Sequence, residues 1–97
     1  MPLFVYTGTD GPRGLELRPS VRPRHLAHLE ALAAAGRIRF AGPLIGEDEE
    51  PCGSVIVFEA DDWAAARALA EGDPYLLEGV FERVEVRETK QVLPAEG

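Results

Sequence analysis

Gly53-Ser54-Val55-Ile56-Val57-Phe58-Glu59-Ala60 sets the architecture of this chain. Val55-Ile56-Val57-Phe58 is an unbroken β-branched and aromatic run bounded by small and polar residues, which reads as a strand buried on both faces. Everything else is arranged around that strand. Immediately after it, Asp61 caps an alanine-rich helix that runs to about Glu71 and is broken by Gly72. Pro74 to Gly79 holds one more helical turn, Val80 to about Val86 is a final strand, and a polar tail follows. On the other side of the central strand, Pro43 to Cys52 carries the consecutive acids Glu47, Asp48, Glu49 and Glu50 and reads as an exposed loop.

Further back, Arg37 to Gly42 alternates, with Ile38 and Phe40 opposite Arg37 and Arg39, as in a strand near a sheet edge with one wet face. Ser20 reads as the N-cap of a helix reaching about Ala35, with Pro23 tolerated in the first turn and Gly36 as its stop. Thr9 to Pro19 reads as a turn-rich connection. Pro2 to Gly8 alternates between Leu3, Val5 and Thr7 on one face and Phe4 and Tyr6 on the other, so both faces of this strand are mostly apolar. The order β-α-β-β-α-β predicts a ferredoxin-like α+β domain with a four-stranded antiparallel sheet. Both helices of such a domain cover one face. The apolar residues left on the other face predict a symmetric dimer with sheets face to face.

Ninety-seven residues correspond to one domain, residues 1–97, with 3–92 as the ordered core and 93–97 as the tail. Seventeen acids against ten bases give a net charge of −7, which excludes a phosphate-backbone binder and so nucleic acid as a partner. Apolar runs are far shorter than the ~20 residues that cross a bilayer, so no membrane partner is expected. Nothing at Met1-Pro2-Leu3-Phe4 points to export, and the single Cys52 fits a reducing cytoplasm.

Two ionisable residues stand at the edges of apolar elements. On the Ser20–Ala35 helix, Leu26, Leu29 and Ala33 define an apolar arc with Leu32 at its margin. His25 falls inside it, His28 points toward the polar face, and Arg24 is nearly opposite the core. His25 reads either as a core histidine tied to one carbonyl or as a proton-transfer group. Asp73, before Pro74, reads as a helix cap, and a capping carboxylate can still accept from an imidazole. Tyr75 is a core aromatic or a pocket donor. Arg22, beside the apolar arc, is a surface arginine or the holder of an anionic group. Gly42-Pro43 is a turn or a gap left for a ligand, and Ser54 opens the central strand without the context of a nucleophile. No phosphate-cradling glycine loop is present, and the histidines lack companions at zinc spacing, so neither cofactor nor metal is expected.

The segments Ser20-Val21-Arg22-Pro23-x-His25-Leu26, Gly36-Arg37 with Ala41-Gly42-Pro43, and Asp73-Pro74-Tyr75 with Gly79-Val80 and Glu82 together resemble the YciI-like (YCII-related) family of the dimeric α+β barrel superfamily. The similarity runs from Leu3 to about Val92. It implies a dimer and an active site built on a histidine–aspartate pair, roles that map onto His25 and Asp73. The loop from Pro43 to Cys52 is short and acidic for that family, which leaves the substrate unassigned. The expectation is an enzyme that needs no cofactor and performs isomerase- or lyase-type acid/base chemistry on a small, cyclic or aromatic molecule. The alternative is a small-molecule-binding or regulatory dimer without catalysis, and a weaker third reading has the acidic loop docking a basic partner.

Overall fold

A computed structural model describes residues 1–95; residues 96 and 97, the end of the expected polar tail, lie outside the described residues. The elements are β1 (Leu3–Asp10), α1 (Gly14–Ala34), β2 (Ile38–Ile45), β3 (Pro51–Glu59), α2 (Trp63–Glu71), a single turn α3 (Pro74–Leu77) and β4 (Phe81–Thr89). The four strands form one antiparallel sheet in the order β2-β3-β1-β4, with β3 and β1 in the middle and β2 and the charge-rich β4 at the edges. This is the ferredoxin-like βαββαβ arrangement. Among the described residues no helix is long and apolar enough to cross a membrane.

Phe4, Tyr6, Ile56 and Phe58 project from one side of the sheet and are sealed by Leu29 of α1 and by Ala66 and Ala70 of α2. Two alanines there let α2 approach closely. A second cluster, Val21, Tyr75, Val80 and Phe81, closes the end of the sheet beneath α3. α1 stops as expected. Gly36 takes the left-handed conformation (φ 72°), its N–H donates to Ala33 O, and Arg37 N–H donates to Leu32 O, which satisfies the last carbonyls of the helix.

The start of α1 differs from expectation. The helix begins at Gly14, so the supposed connection is mostly helical, Pro19 and Pro23 lie inside it, and Ser20 is no cap; its Oγ donates to Leu17 O. Each interior proline costs a helix about 3 kcal/mol. Here the packing of Leu17 and Val21 against the second cluster, together with an ion pair from Arg18, holds the first two turns in place. The buried stripe is accordingly Val21, His25 and Leu29 with Leu32 beside them, while Leu26 is 45% exposed and Ala33 lies outside the core. α2 is capped by Asp62, not Asp61: its side chain accepts from Ala65 N–H at 2.8 Å.

A register shift at Arg39 changes what β2 presents. Ile38 pairs with Phe58, but Phe40 pairs with Val57, so the two apolar residues point to opposite faces. Phe40 therefore joins Leu3, Val5 and Val57 on the face away from the helices, where it is 57% exposed. β2 also continues through Gly42 and Pro43 to Ile45. Proline is tolerated there because the strand is an edge, and the acidic loop shrinks to residues 46–50.

Candidate active site

Even-numbered residues of β1 share the helix-covered face, and each does a separate job there. Phe4 fills the core. Gly8 has no side chain, and a Cβ on it would overlap the Phe81 ring. Phe81 uses that room to meet the edge of Tyr75, with centroids 5.3 Å apart, and Tyr75 in turn stacks flat on His25 at 3.9 Å and 5°. The imidazole plane is thereby fixed by packing before any hydrogen bond is counted.

Asp73 fixes its direction. The carboxylate is fully buried, caps α3 by accepting from Tyr75 N–H at 2.9 Å, and lies 2.7 and 2.9 Å from His25 Nδ1. It also accepts from the Tyr6 hydroxyl at 2.6 Å. Burial by itself would push the Asp73 carboxyl up, but the hydrogen bonds from His25, Tyr6 and Tyr75 N–H, with the charge of His25, hold it below the usual range. An ionised carboxylate only accepts, so Nδ1 carries the hydrogen. For Tyr6, burial first and then the negative charge and hydrogen bond of Asp73 push ionisation far upward, so it stays a donor. The cap and the imidazole partner, which are compatible readings of the sequence, are both present in one side chain.

His25 Nε2 has no protein partner among the described residues, and His25 lines a cavity of about 410 Å³ between α1 and the β2–β3 edge. A volume of that order holds one small molecule. Its apolar walls include Leu29, Ile56, Ala41 and Pro43; its polar groups include Arg18, Arg22, Ser54 and Tyr75. The structure thus brings together His25, Asp73, Arg22, Tyr75, Gly42, Pro43 and Ser54. Gly42 opens no gap for a ligand: a Cβ there would meet the Phe40 ring on the opposite face of the sheet, not the cavity. His28 does not face water either. It is half-buried and its Nε2 donates to Leu69 O at 2.8 Å, tying α1 to α2. Among the described residues no three His, Cys, Asp or Glu side chains are grouped to hold a metal.

Three polar residues escaped the sequence reading. Tyr6 was assigned only to an apolar face. Arg18 falls in the expected connection, yet its side chain is largely covered: Nε and Nη2 bind both oxygens of Asp10 at 2.8 Å, and Nη2 also donates to Gly53 O at 2.7 Å and Ser54 Oγ at 3.3 Å. A Cβ on Gly14 would lie 2.7 Å from Asp10, so glycine at the start of α1 admits that aspartate. The signal was present as Arg18, Arg22 and His25 at i, i+4 and i+7, one helical stripe. The assumed start at Ser20 cut it off.

Comparisons with known proteins agree with this fold. The family model described as the YCII-related domain matches residues 2–90. A protein called YciI from Escherichia coli is 40% identical over 96 residues, covering 93% of this chain and 98% of that protein. Among solved structures, 5-chloro-2-hydroxyhydroquinone dehydrochlorinase from Burkholderia phenoliruptrix, in complex with 2,5-dihydroxybenzoquinone, superposes with a TM-score of 0.79 at 32% identity, over 91% of this chain and 93% of that one. A NIPSNAP domain protein from Burkholderia xenovorans, with a TM-score of 0.54 at 16% identity and full coverage of both chains, shares the fold alone.

Proposed function

The chain belongs to the YCII-related family, and from that premise we propose that it is an enzyme moving a proton on a small cyclic or aromatic molecule, in an isomerisation or an elimination, with His25 as the proton-transfer group. One observation carries this reading: His25 presents Nε2 to a cavity while its Nδ1 is committed to a buried carboxylate. Nε2 takes a proton from a carbon beside an electron-withdrawing group, and Asp73 stabilises the imidazolium that forms and keeps the reactive tautomer. In an isomerisation the proton returns to a neighbouring atom. In an elimination the carbon–hydrogen electrons form the new double bond, the leaving group departs with its electron pair, and the proton is released from His25. The dehydrochlorinase among the similar structures is named for an elimination, which supports the second course by analogy.

The test is conversion. A panel of small cyclic and aromatic compounds incubated with the protein and followed by mass spectrometry should yield one that is transformed. His25→Ala should slow that turnover by roughly 10²–10⁴-fold with the fold intact by circular dichroism. Unchanged turnover removes His25 from the mechanism, and a compound that binds but returns intact favours a binding module.

We propose further that two copies join through the sheet face opposite the helices, where Leu3, Val5, Phe40 and Val57 lie together. Each such side chain is worth about 1.5–3 kcal/mol when fully buried. Sedimentation should give twice the 10.5 kDa mass of the chain, and Phe40→Glu should halve it. A wild-type protein that sediments as a monomer at micromolar concentration excludes this assembly.

A further inference from the structure

The cavity wall and the chain have opposite charge. The chain carries seventeen acids and ten bases, but the cavity is lined by Arg18, Arg22 and His25 and by no carboxylate among the described residues. Asp10 stands behind Arg18 and answers its charge from outside the wall, and Asp73 stands behind His25 and accepts from its Nδ1. Arg22 has no such answer: it makes no ion pair or hydrogen bond among the described residues. Arg18 is held rigidly, with Nε and Nη2 committed, and its Nη1 has no protein acceptor. Arginine N–H groups aimed at one cavity suit a planar anionic group.

Spacing gives the direction in which a ligand lies. Positions 18, 22 and 25 form one stripe of α1, about 10 Å long at 1.5 Å per residue. The arginines occupy the end of the stripe nearer the start of α1 and the imidazole occupies the other. A ligand spanning the cavity places its charge at the arginines and a carbon within reach of His25 Nε2.

We propose that this cavity selects a small organic anion, a carboxylate or an ionised ring hydroxyl, held by Arg22 and Arg18 Nη1 with its apolar body against Leu29, Ile56 and Pro43. The inference rests on the acid/base reading for the position of the body, and it adds the substrate class. It also gives the arginines a part in the chemistry. Negative charge that develops on an oxygen conjugated to the deprotonated carbon meets cationic donors already in place.

Binding can be measured without turnover. The probes are benzoate against neutral benzamide, and 4-nitrophenolate against neutral 4-nitroanisole, followed by NMR shifts of the Arg22 side-chain N–H and the His25 ring. At least one anion should bind roughly tenfold or more tightly than its neutral partner, because hydrogen bonds to ionised groups are about twice as strong as neutral ones. Preference in the benzoate arm identifies a carboxylate, and in the nitrophenolate arm a ring oxyanion. Arg22 has no protein partner to lose, so Arg22→Gln should fold, lose the preference and keep its affinity for the neutral probes. Arg22→Lys should keep part of the preference. Equal binding of anion and neutral probe, no binding of either anion, or a preference that survives Arg22→Gln overturns the proposal. Its failure is separable from failure of the acid/base reading. Turnover of a neutral compound would leave only the latter standing, and anion selectivity without any turnover would leave only the former.

Discussion

At Tyr6, β1 feeds a polar cluster organised by an anion; four residues later, at Asp10, it feeds one organised by a cation. In the first, three donors from β1, α1 and α3 converge on the Asp73 carboxylate, which is wholly buried. In the second, oxygens of Asp10, Gly53 and Ser54 gather around the Arg18 guanidinium, which keeps 11% of its side chain exposed. Both clusters fasten α1 to the sheet, and both touch the cavity through α1. They differ in what they deliver there. Arg18 presents a charge that no accessible pH removes. The Asp73 cluster presents an imidazole, which can gain and lose a proton while its partner stays fixed. Two similar fastenings thus provide a permanent charge and a mobile one, about 10 Å apart along one helix.

Truncating each centre's acid should expose the difference most strongly. Asp73→Ala leaves the Tyr6 hydroxyl, His25 Nδ1 and Tyr75 N–H without their acceptor in a dry interior, and should cost about 3–5 kcal/mol in urea unfolding. Asp10→Ala leaves Arg18 with Gly53 O, Ser54 Oγ and access to the cavity, and should cost only about 1–3 kcal/mol. Equal losses would mean that the two clusters are equivalent fastenings and that burial of Asp73 has no special weight. The first cluster should also have an acid signature. Because the folded Asp73 carboxyl lies below its unfolded value of ~3.9, the unfolded chain binds more protons in acid. The stabilisation is whole above that value and is lost as pH falls through the folded one. Asp73→Asn should flatten this limb relative to wild type. The comparison belongs at high salt, where the exposed Arg13–Glu16 and Arg24–Glu78 pairs are screened.

The central places of β3 and β1 were legible because both strands are apolar on both faces, and the edge place of β2 because Arg37 and Arg39 alternate with Ile38 and Phe40. His25 was legible because one histidine of two fell on an apolar arc, and Asp73 because an acid before proline at a helix start is a local signal. The Asp10–Arg18 cluster was not legible. Prolines at 19 and 23 signal a helix start under local rules, and only the packing of Leu17 and Val21 and the Arg18 ion pair, all tertiary, carry the helix past them. Phe40 was lost for a related reason: one bulged residue reverses the face of everything after it, and a bulge leaves no periodic trace. Tyr6 was hidden by its own chemistry, since a buried tyrosine counts as apolar until its hydroxyl finds a partner.

Tyr6→Phe makes the smallest change and separates packing from electrostatics within the first cluster. The ring stays, edge-on to Phe58 with centroids 5.7 Å apart, and only the donor to Asp73 is removed. Asp73 keeps two donors, so the loss of stability should be near 1 kcal/mol, well below that of Asp73→Ala. The more telling readout is the His25 Nδ1–H resonance. Hydrogen bonds to one carboxylate compete for the same charge, so removing the tyrosine donor concentrates that charge on the imidazole N–H and should move its proton signal downfield. A signal that stays in place would mean that Tyr6 only packs, and that the charge reaching the cavity is set by Asp73 and His25 alone.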